Sequence, residues 1–163
     1  MGSEAIAGLR VSLRAVNEED LAAIKAWYEE AVMAAYVETP HPLPLSREAG
    51  EGRSVGAGSG GVLVIERFGE RGPIGLVEYE VKEDQLAVPF IALAKVYRGW
   101  GYGSEAVRLL EEWAVREGIA ERFRTEVDAR NGLGLYFWLR LGYRPVGWHA
   151  EGGRDSMTMI RES

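Results

Sequence analysis

Hydrophobic and polar positions follow two different periods along this 163-residue chain. Alternation with a period of two predicts strands, whereas apolar residues at i, i+3 and i+4 predict amphipathic helices. Strands are predicted over residues 11–14, 62–67, 74–81, 86–96, 122–128, 143–149 and 155–160. Helices are predicted over 21–36, 102–117 and 132–140. The predicted order is therefore β-α, three β, α, β, α and a closing hairpin.

Caps and breakers mark the ends of these elements. Asn17 is a preferred N-cap before the first helix, and Gly118 is placed to end the second. Pro89 has no N–H to donate, so the strand 86–96 is expected to be bulged there or unpaired on that side. The second helix is expected to bury one apolar stripe and to expose the opposite face, which carries Arg108, Glu111, Glu112 and Arg116.

Residues 50–61 are rich in glycine and have no apolar period, which predicts a flexible glycine-rich loop. Inside this segment, Gly52-x-Ser54-x-Gly56 matches the elbow of serine hydrolases. That elbow requires a strand before it and a helix after it, and the pattern predicts neither. We therefore reject a hydrolase site at Ser54.

Composition narrows the class of function. Apolar residues make up 47% and charged residues 27%, which indicates one globular domain over residues 1–163. A formal charge of −6 argues against a general nucleic-acid binder, because neutralising phosphates needs a basic face. No apolar run reaches the roughly 18 residues of a membrane span, and no signal peptide is recognisable, so we expect a cytoplasmic protein. With no cysteine, and with His41 and His149 far apart in sequence, no metal site is expected.

The most informative segment is the Tyr-Arg-Gly-Trp-Gly-Tyr-Gly sequence at residues 97–103, which we call the glycine loop. Glycine lets the backbone approach a ligand closely, and the N–H groups at the start of the following helix lack intrahelical partners. Each hydrogen bond from such an N–H to a phosphate contributes about 1.5–3 kcal/mol, and the helix dipole adds about 0.3–1 kcal/mol. The glycine loop therefore predicts a diphosphate site.

Three interpretations of the glycine loop compete. Gly101-x-Gly103-x-x-Ala106, with Glu126 as the ribose acid, satisfies a dinucleotide-binding fingerprint. That fingerprint normally opens a series of βαβ units, whereas one further helix and a hairpin follow here. A glycine-rich turn that binds nothing is the second interpretation, but a dense glycine run costs chain entropy with no return in packing.

The third interpretation begins one step earlier, as Arg98-x-x-Gly101-x-Gly103, and adds Asn131 and the Leu141-Gly142-Tyr143 corner downstream. In this combination residues 84–149 resemble the GNAT (GCN5-related) N-acetyltransferase superfamily, in both motifs and in their separation. Residues 101–110 are most similar to the branch that acetylates protein N-termini, including those of ribosomal proteins. The resemblance implies an α+β fold, with a central, mixed, mostly antiparallel twisted sheet of about seven strands flanked by helices.

The resemblance also implies how a co-substrate, acetyl-coenzyme A, would be held. Main-chain amides of residues 98–104 would take its diphosphate, and its pantetheine arm would run beside residues 91–95. An N–H near Leu93 or Ala94 would face the thioester oxygen. The implied cofactor-binding residues are Leu93, Ala94, Lys95, Arg98, Gly99, Trp100, Gly101, Tyr102, Gly103, Ser104, Asn131 and Trp138.

Two carboxylates are candidate catalytic groups. Glu78 and Glu80 are the carboxylates nearest to the motifs and share one strand face, so they are candidate general bases or members of a solvated sheet face. The superfamily usually has a tyrosine as general acid seven residues after the asparagine, where this chain has Trp138. An indole N–H is not a practical proton source. Because a thiol with a pKa of about 8.5 is a tolerable leaving group, the loss of that acid need not abolish the reaction.

We therefore expect an acetyl-coenzyme A-dependent N-acetyltransferase that acts on a primary amine by direct attack. Neutralising a lysine amine at neutral pH costs roughly 4.6 kcal/mol, against about 1–1.4 kcal/mol for an α-amine. A protein N-terminal α-amine is thus the first acceptor, and a small amine such as an aminoglycoside or polyamine the second. A non-catalytic acyl-coenzyme A sensor and a dinucleotide-dependent oxidoreductase are the alternatives from other classes. A homodimer through the C-terminal strands stays open, and no nucleic-acid or membrane partner is expected.

Overall fold

The computed structural model describes residues 6–33, 60–151 and 154–163. Strands β1 (Ile6–Ala7) and β2 (Val11–Ala15) lead through a 3₁₀ turn (Glu18–Asp20) into helix α1 (Leu21–Met33). Strands β3 (Gly60–Arg67), β4 (Gly75–Lys82) and β5 (Gln85–Leu93) precede a 3₁₀ turn (Lys95–Tyr97) and helix α2 (Tyr102–Arg116). The remaining described elements are β6 (Arg122–Asp128), α3 (Gly132–Arg140), β7 (Arg144–Glu151) and β8 (Arg154–Glu162).

The strands of the described residues form one 8-stranded sheet in the order β1-β2-β3-β4-β5-β6-β8-β7. Neighbouring strands are antiparallel, except that β5 and β6 run parallel. The predicted α+β fold with a mixed, mostly antiparallel sheet is confirmed. The extra strand is Ile6–Ala7, which pairs with β2 and is too short for any period to reveal it.

Helices cover both faces of the sheet. Ile24, Trp27 and Tyr28 recur at helical spacing on α1 and pack on one face against Val64 and Leu76. On the other face, α2 closes the larger core with Ala106, Val107, Leu110, Trp113 and Ala114. The apolar stripes predicted for both helices are confirmed within the described residues, while the predicted continuation of α1 to residue 36 lies outside them.

Local hydrogen bonds fix where α1 begins. The Asn17 side chain accepts from the N–H of Glu19, and the Asp20 carboxylate accepts from the N–H of Asn17 at 2.8 Å. Asp20 is buried, and Arg14 of β2 donates two further hydrogen bonds to it, at 2.8 and 2.9 Å. The predicted cap is confirmed, and the buried ion pair ties the start of α1 to the sheet.

Gly118 lies just beyond α2 with a φ of +72°, a left-handed conformation that glycine adopts without strain. The predicted end of this helix is confirmed. β5, by contrast, ends earlier than predicted. The N–H of Tyr97 turns back to the C=O of Ala94 at 2.9 Å, so the run predicted as strand through residue 96 closes in a 3₁₀ turn.

Pro89 lies in a bulge of β5, as predicted. Glu78 of β4 pairs with Phe90, whereas Glu80 pairs with Ala87, so β5 has one extra residue between these pairs. A proline fits a bulge because no ladder hydrogen bond is required of it there. A bulge also bends its strand and increases the local twist.

One surface prediction is wrong. Glu111, predicted on the exposed face of α2, is only 2% exposed. Its carboxylate accepts hydrogen bonds from the Tyr143 hydroxyl and from Arg161 of β8. Burial, followed by the charge and hydrogen bond of Glu111, raises the pKa of Tyr143, so this hydroxyl remains a donor. The Glu111 carboxylate is therefore solvated by Arg161 and Tyr143 and not by water.

The predicted flexible loop, residues 50–61, lies outside the described residues except for Gly60 and Gly61, which begin β3. His41 and Ser54 also lie outside them. In the described ranges, none of the helices is long and apolar enough to cross a bilayer.

Candidate active site

The two parallel strands in the middle of the sheet separate after a short contact. Residues 85–87 of β5 pair with residues 122–124 of β6, and the Thr125 hydroxyl then donates to the C=O of Val88 at 2.8 Å. Within the described residues, no backbone pair joins the two strands beyond this point. The opening between residues 89–93 and 126–128, which we call the β5–β6 wedge, leads towards the glycine loop after β5 and Asn131 after β6.

The wedge is lined by main-chain groups of β5. The Ala94 N–H donates to the C=O of Ile74 on the β4 side at 2.8 Å. Because successive residues of an antiparallel ladder alternate between bonding and not bonding the partner strand, Ile91 and Leu93 direct their N–H groups into the wedge. The predicted N–H donor to the thioester oxygen is therefore available at Leu93. Ala94 must be corrected, because its N–H already has an acceptor.

The glycine loop has the backbone conformation that its sequence suggests. Gly99 and Gly101 have φ values of +86° and +85°, in the left-handed region that side chains disfavour. Gly101 is the N-cap of α2 and provides no side-chain acceptor. Within the described part of the chain, the N–H groups of residues 102–104 meet no hydrogen-bond acceptor. The positive end of the α2 dipole is thus available to an anion.

Gly103 brings the start of α2 against its neighbours. A Cβ at this position would lie 3.3 Å from Cε1 of Phe137 and 3.6 Å from Cδ1 of Leu93. The first turn of α2 therefore packs closely on α3 and on the end of β5. This contact places the N–H groups of residues 102–104 beside the β5–β6 wedge.

The Arg98 side chain is bonded to β5 and α1. The Arg98 guanidinium donates to the C=O of Leu93 at 2.9 Å and to Glu30 of α1 at 3.0 Å. Arg98 thus ties the glycine loop to β5 and α1. Its exposed ion pair contributes about 0–1 kcal/mol to stability. Lys95 and Trp100 are exposed, whereas Ser104 is partly buried.

Asn131 caps α3. Its Oδ1 accepts from the N–H of Gly134 at 2.8 Å. A Cβ on Gly134 would lie 2.4 Å from Nδ2 of Asn131, so this cap requires glycine three residues on. Capping is thereby shown for Asn131, and its contact with the cofactor stays a prediction.

Trp138 and Tyr136 lie on different sides of α3, because two residues correspond to about 200° around a helix. Trp138 is 4% exposed and packs edge-on against Phe137 and Tyr143, whereas Tyr136 is 60% exposed. Trp138 therefore packs in the core, where its ring supports Phe137, the neighbour of Gly103. Its contact with the cofactor stays a prediction.

The two candidate bases differ in their surroundings. Glu78 is partly buried and accepts a hydrogen bond from the buried Tyr28 hydroxyl at 2.9 Å, while Glu80 is exposed. The Tyr28 ring stacks on Phe90 of β5, with ring centroids 4.4 Å apart. Burial, followed by the charge and hydrogen bond of Glu78, raises the pKa of Tyr28, so it stays protonated and holds Glu78 in place.

Sequence reasoning missed two residues that shape this region. Phe137 has an ordinary position in an amphipathic helix, and nothing in the sequence links it to Gly103. Arg10 is 95 positions away from Glu105, to which it is bonded. Only the packing of β2 against α2 brings these two side chains together.

No group of three or more metal-ligating side chains occurs in residues 6–33, 60–151 and 154–163.

The chain matches the acetyltransferase (GNAT) domain family over residues 10–144. It belongs to the GNAT acetyltransferase family. The match begins well upstream of residue 84, where the resemblance in sequence starts, and so includes β2 and α1. This GNAT protein is accordingly an acetyltransferase, with acetyl-coenzyme A as the donor that the superfamily uses.

Solved structures agree with this family. The RimL ribosomal L7/L12 alpha-N-protein acetyltransferase in complex with coenzyme A has a TM-score of 0.75 and 18% identity, with 98% of each chain covered. The ribosomal-protein-S5-alanine acetyltransferase from Vibrio fischeri has a TM-score of 0.75 and 15% identity, covering 98% of this chain and 96% of that one. The aminoglycoside acetyltransferase AAC(6')-Ib in complex with coenzyme A has a TM-score of 0.71 and 18% identity, covering 93% of this chain and 94% of that one. A search of curated protein sequences returned no match.

Proposed function

We propose that this GNAT protein transfers an acetyl group from acetyl-coenzyme A to the α-amine of a protein N-terminus. The proposed binding of acetyl-coenzyme A rests on the N–H groups of residues 102–104. These groups lack acceptors within the described residues and lie beside the β5–β6 wedge. A diphosphate at the helix start and a pantetheine arm in the wedge fit these two features. The residues present therefore suit the cofactor.

The backbone of β5 supplies the groups for the acyl-transfer step. When bound, acetyl-coenzyme A provides a thioester, whose carbonyl oxygen gains negative charge as an amine attacks it. We assign the donor to that oxygen to the Leu93 N–H, which faces the wedge. One such donor contributes about 2.7–4 kcal/mol in other oxyanion sites. This role depends on the main chain, so side-chain identity at residue 93 constrains it little.

Glu78 is our candidate for the group that takes the proton from the amine, and Glu80 stays the second candidate. Glu78 lies on β4 opposite Phe90 of β5, next to the part of β5 that borders the wedge. Its hydrogen bond from Tyr28 fixes the carboxylate while leaving the tyrosine proton on oxygen. Trp138 is buried, and its indole N–H is not a practical proton source. The sulfur of coenzyme A would therefore leave as the thiolate, which is tolerable because the pKa of a thiol is about 8.5.

Two acceptor classes are supported to different degrees. Solved neighbours include one enzyme named as an alpha-N-protein acetyltransferase of ribosomal L7/L12 and one named for an alanine of ribosomal protein S5. The low cost of neutralising an α-amine favours a protein N-terminus as the acceptor. An aminoglycoside acetyltransferase is also a neighbour, so a small amine is the second candidate. A homodimer and a cytoplasmic location stay predictions of the sequence.

The test has two stages. Calorimetry with acetyl-coenzyme A first measures binding, and a thiol-release assay then compares matched peptides of identical sequence. One peptide has a free N-terminus and no lysine, and the other has a blocked N-terminus and a single lysine. We expect release with the first peptide only. Release with the lysine peptide alone, or with polyamines and aminoglycosides alone, contradicts the proposed acceptor, and binding without release over the whole panel supports the sensor.

Substitution of Glu78 tests the base. At pH 7 roughly 10% of an α-amine with a pKa of about 8 is unprotonated, so deprotonation of the ammonium by a base contributes about tenfold at this pH. We therefore expect Glu78→Gln to lower kcat/KM about tenfold at pH 7 and to match the unmodified enzyme above pH 8.5, where the amine is already neutral. The measurement is kcat/KM against pH, with Glu80→Gln as the matched variant on the same strand face.

The two variants together discriminate between the candidates. If kcat/KM falls in Glu80→Gln and is unchanged in Glu78→Gln, Glu80 is the base and Glu78 is not. Full turnover of both variants from pH 6 to 9 removes these carboxylates from the mechanism and leaves them as a solvated part of the sheet.

A further inference from the structure

Glu105 lies in the first turn of α2, next to the N–H groups proposed to hold the diphosphate. A carboxylate at this place is attracted to the same N–H groups and to the positive end of the helix dipole. It also repels an incoming phosphate. An unrestrained Glu105 would therefore compete with the cofactor for the start of α2.

The structure directs this carboxylate away from the helix start. Its Oε2 accepts from the main-chain N–H of Arg10 at 2.8 Å and from that of Val11 at 3.3 Å. Its Oε1 accepts from Nε of Arg10 at 2.8 Å. Burial alone would raise the pKa of Glu105, but these bonds and the Arg10 charge outweigh it, and the pKa is lowered. The carboxylate is therefore charged at neutral pH and bonded to β2.

Arg10 also reaches the other side of the glycine loop. Its Nη1 donates to the C=O of Trp100 at 2.9 Å, and its guanidinium carbon lies 5.0 Å from the centre of the Tyr102 ring. The side chain thus contacts the residue before Gly101, the residue after it and the first turn of α2. Three contacts from one guanidinium fix the position of the loop relative to the sheet.

The same junction requires a glycine on the sheet side. A Cβ on Gly8, in the corner between β1 and β2, would lie 2.7 Å from Cδ1 of Leu109 and 3.0 Å from Oε2 of Glu105. The carbonyl oxygen of Val11 would be 2.9 Å away. Close approach of this corner to α2 therefore depends on the missing side chain.

We infer that Arg10 is a positioning residue of the cofactor site, which draws the Glu105 carboxylate away from the N–H groups of α2 and neutralises its charge. The inference rests on the proposed binding of the diphosphate at the start of α2. Arg10 itself is not required to touch the cofactor. Its effect on binding is exerted through Glu105 and through the Trp100 carbonyl.

The test compares Arg10→Met with the double variant Arg10→Met/Glu105→Gln. In the single variant the Glu105 charge is left without its counterion, and we expect the Kd for acetyl-coenzyme A to rise about tenfold at low ionic strength. Added salt screens this repulsion, so the rise should shrink at high ionic strength. The double variant removes the charge as well, and we expect it to recover most of the lost affinity. Calorimetry at two salt concentrations measures all three proteins.

Arg14→Met is the matched control. Arg14 lies on β2, four residues after Arg10, and its guanidinium also pairs with a carboxylate, that of the buried Asp20 at the start of α1. The Arg14→Met variant should have a lower thermal stability and an unchanged Kd for acetyl-coenzyme A. If Arg10→Met binds acetyl-coenzyme A like the unmodified protein, or if the double variant binds no better than the single one, Arg10 is merely structural. Lack of binding by the unmodified protein would instead overturn the proposed function, and this inference with it.

Discussion

Replacement of Gly101 with valine is expected to weaken the binding of acetyl-coenzyme A by about 100-fold or more. The residue has a φ of +85°, and a Cβ would lie 3.1 Å from Nη2 of Arg10. The left-handed conformation costs an L-residue about 1–2 kcal/mol, and a β-branched residue more, so the loop should relax to another backbone conformation. Relaxation turns the N–H groups away from the diphosphate. Loss of two such hydrogen bonds, at about 1.5–3 kcal/mol each, accounts for the predicted change in Kd.

Gly118 supplies a control at the other end of the same helix. It has a φ of +72°, and a Cβ added there would meet no atom within 4 Å, so Gly118→Val carries a similar backbone strain with no ligand nearby. We expect both variants to lose similar amounts of stability in urea unfolding, while Gly118→Val keeps its Kd in calorimetry. Equal affinities of the two variants would remove the glycine loop from the cofactor site.

Glu111→Ala is expected to destabilise the fold by about 3 kcal/mol. Removal of one partner from a buried ion pair typically costs about 3–5 kcal/mol, because the other charge is left without compensation. The lower end of this range applies here, because the Arg161 side chain is 25% exposed and its charge can be partly hydrated in the variant. The Tyr143 hydroxyl also loses its acceptor. Thermal unfolding should show a midpoint lower by about 6–12 °C, given about 2–4 °C per kcal/mol for a domain of this size.

Glu112 is the matched control, because it follows Glu111 on α2 and is exposed. Glu112→Ala should change the midpoint by no more than a degree or two, as surface substitutions typically stay within about 0.5 kcal/mol. Equal midpoints for the two variants would show that the Glu111 network contributes no net stability. Binding of acetyl-coenzyme A at low temperature should be preserved in both, since residue 111 lies more than two turns beyond the glycine loop.

Local patterns predicted most of the fold. The bounds of β6 and α3 coincide with the predicted residues 122–128 and 132–140, because turn and cap residues flank both elements. The pattern also predicted the bulge at Pro89 and the helix end at Gly118, where one residue type decides the backbone. Family membership followed from motif spacing, and the family match confirms it.

Long-range pairings explain the predictions that were wrong. The Ala94 N–H is taken by Ile74, and this follows from strand register rather than from either residue. Glu111 is polar and lies at a position that the helical pattern assigns to solvent, yet Arg161 and Tyr143, distant in sequence, make its burial favourable. The bond between Arg10 and Glu105 is likewise a product of tertiary packing. Periodicity carries no information about such partners.

The bulge at Pro89 determines more than the shape of one strand. Because the bulge directly follows the last residue of β5 that pairs with β6, the cleft is present without a ligand, and no strands have to separate when one enters. Association should then be fast and should leave the backbone almost unmoved, as in other preorganised receptors. Amide hydrogen exchange in β5 would consequently be slowed by the cofactor through direct contact, with little change in the neighbouring strands.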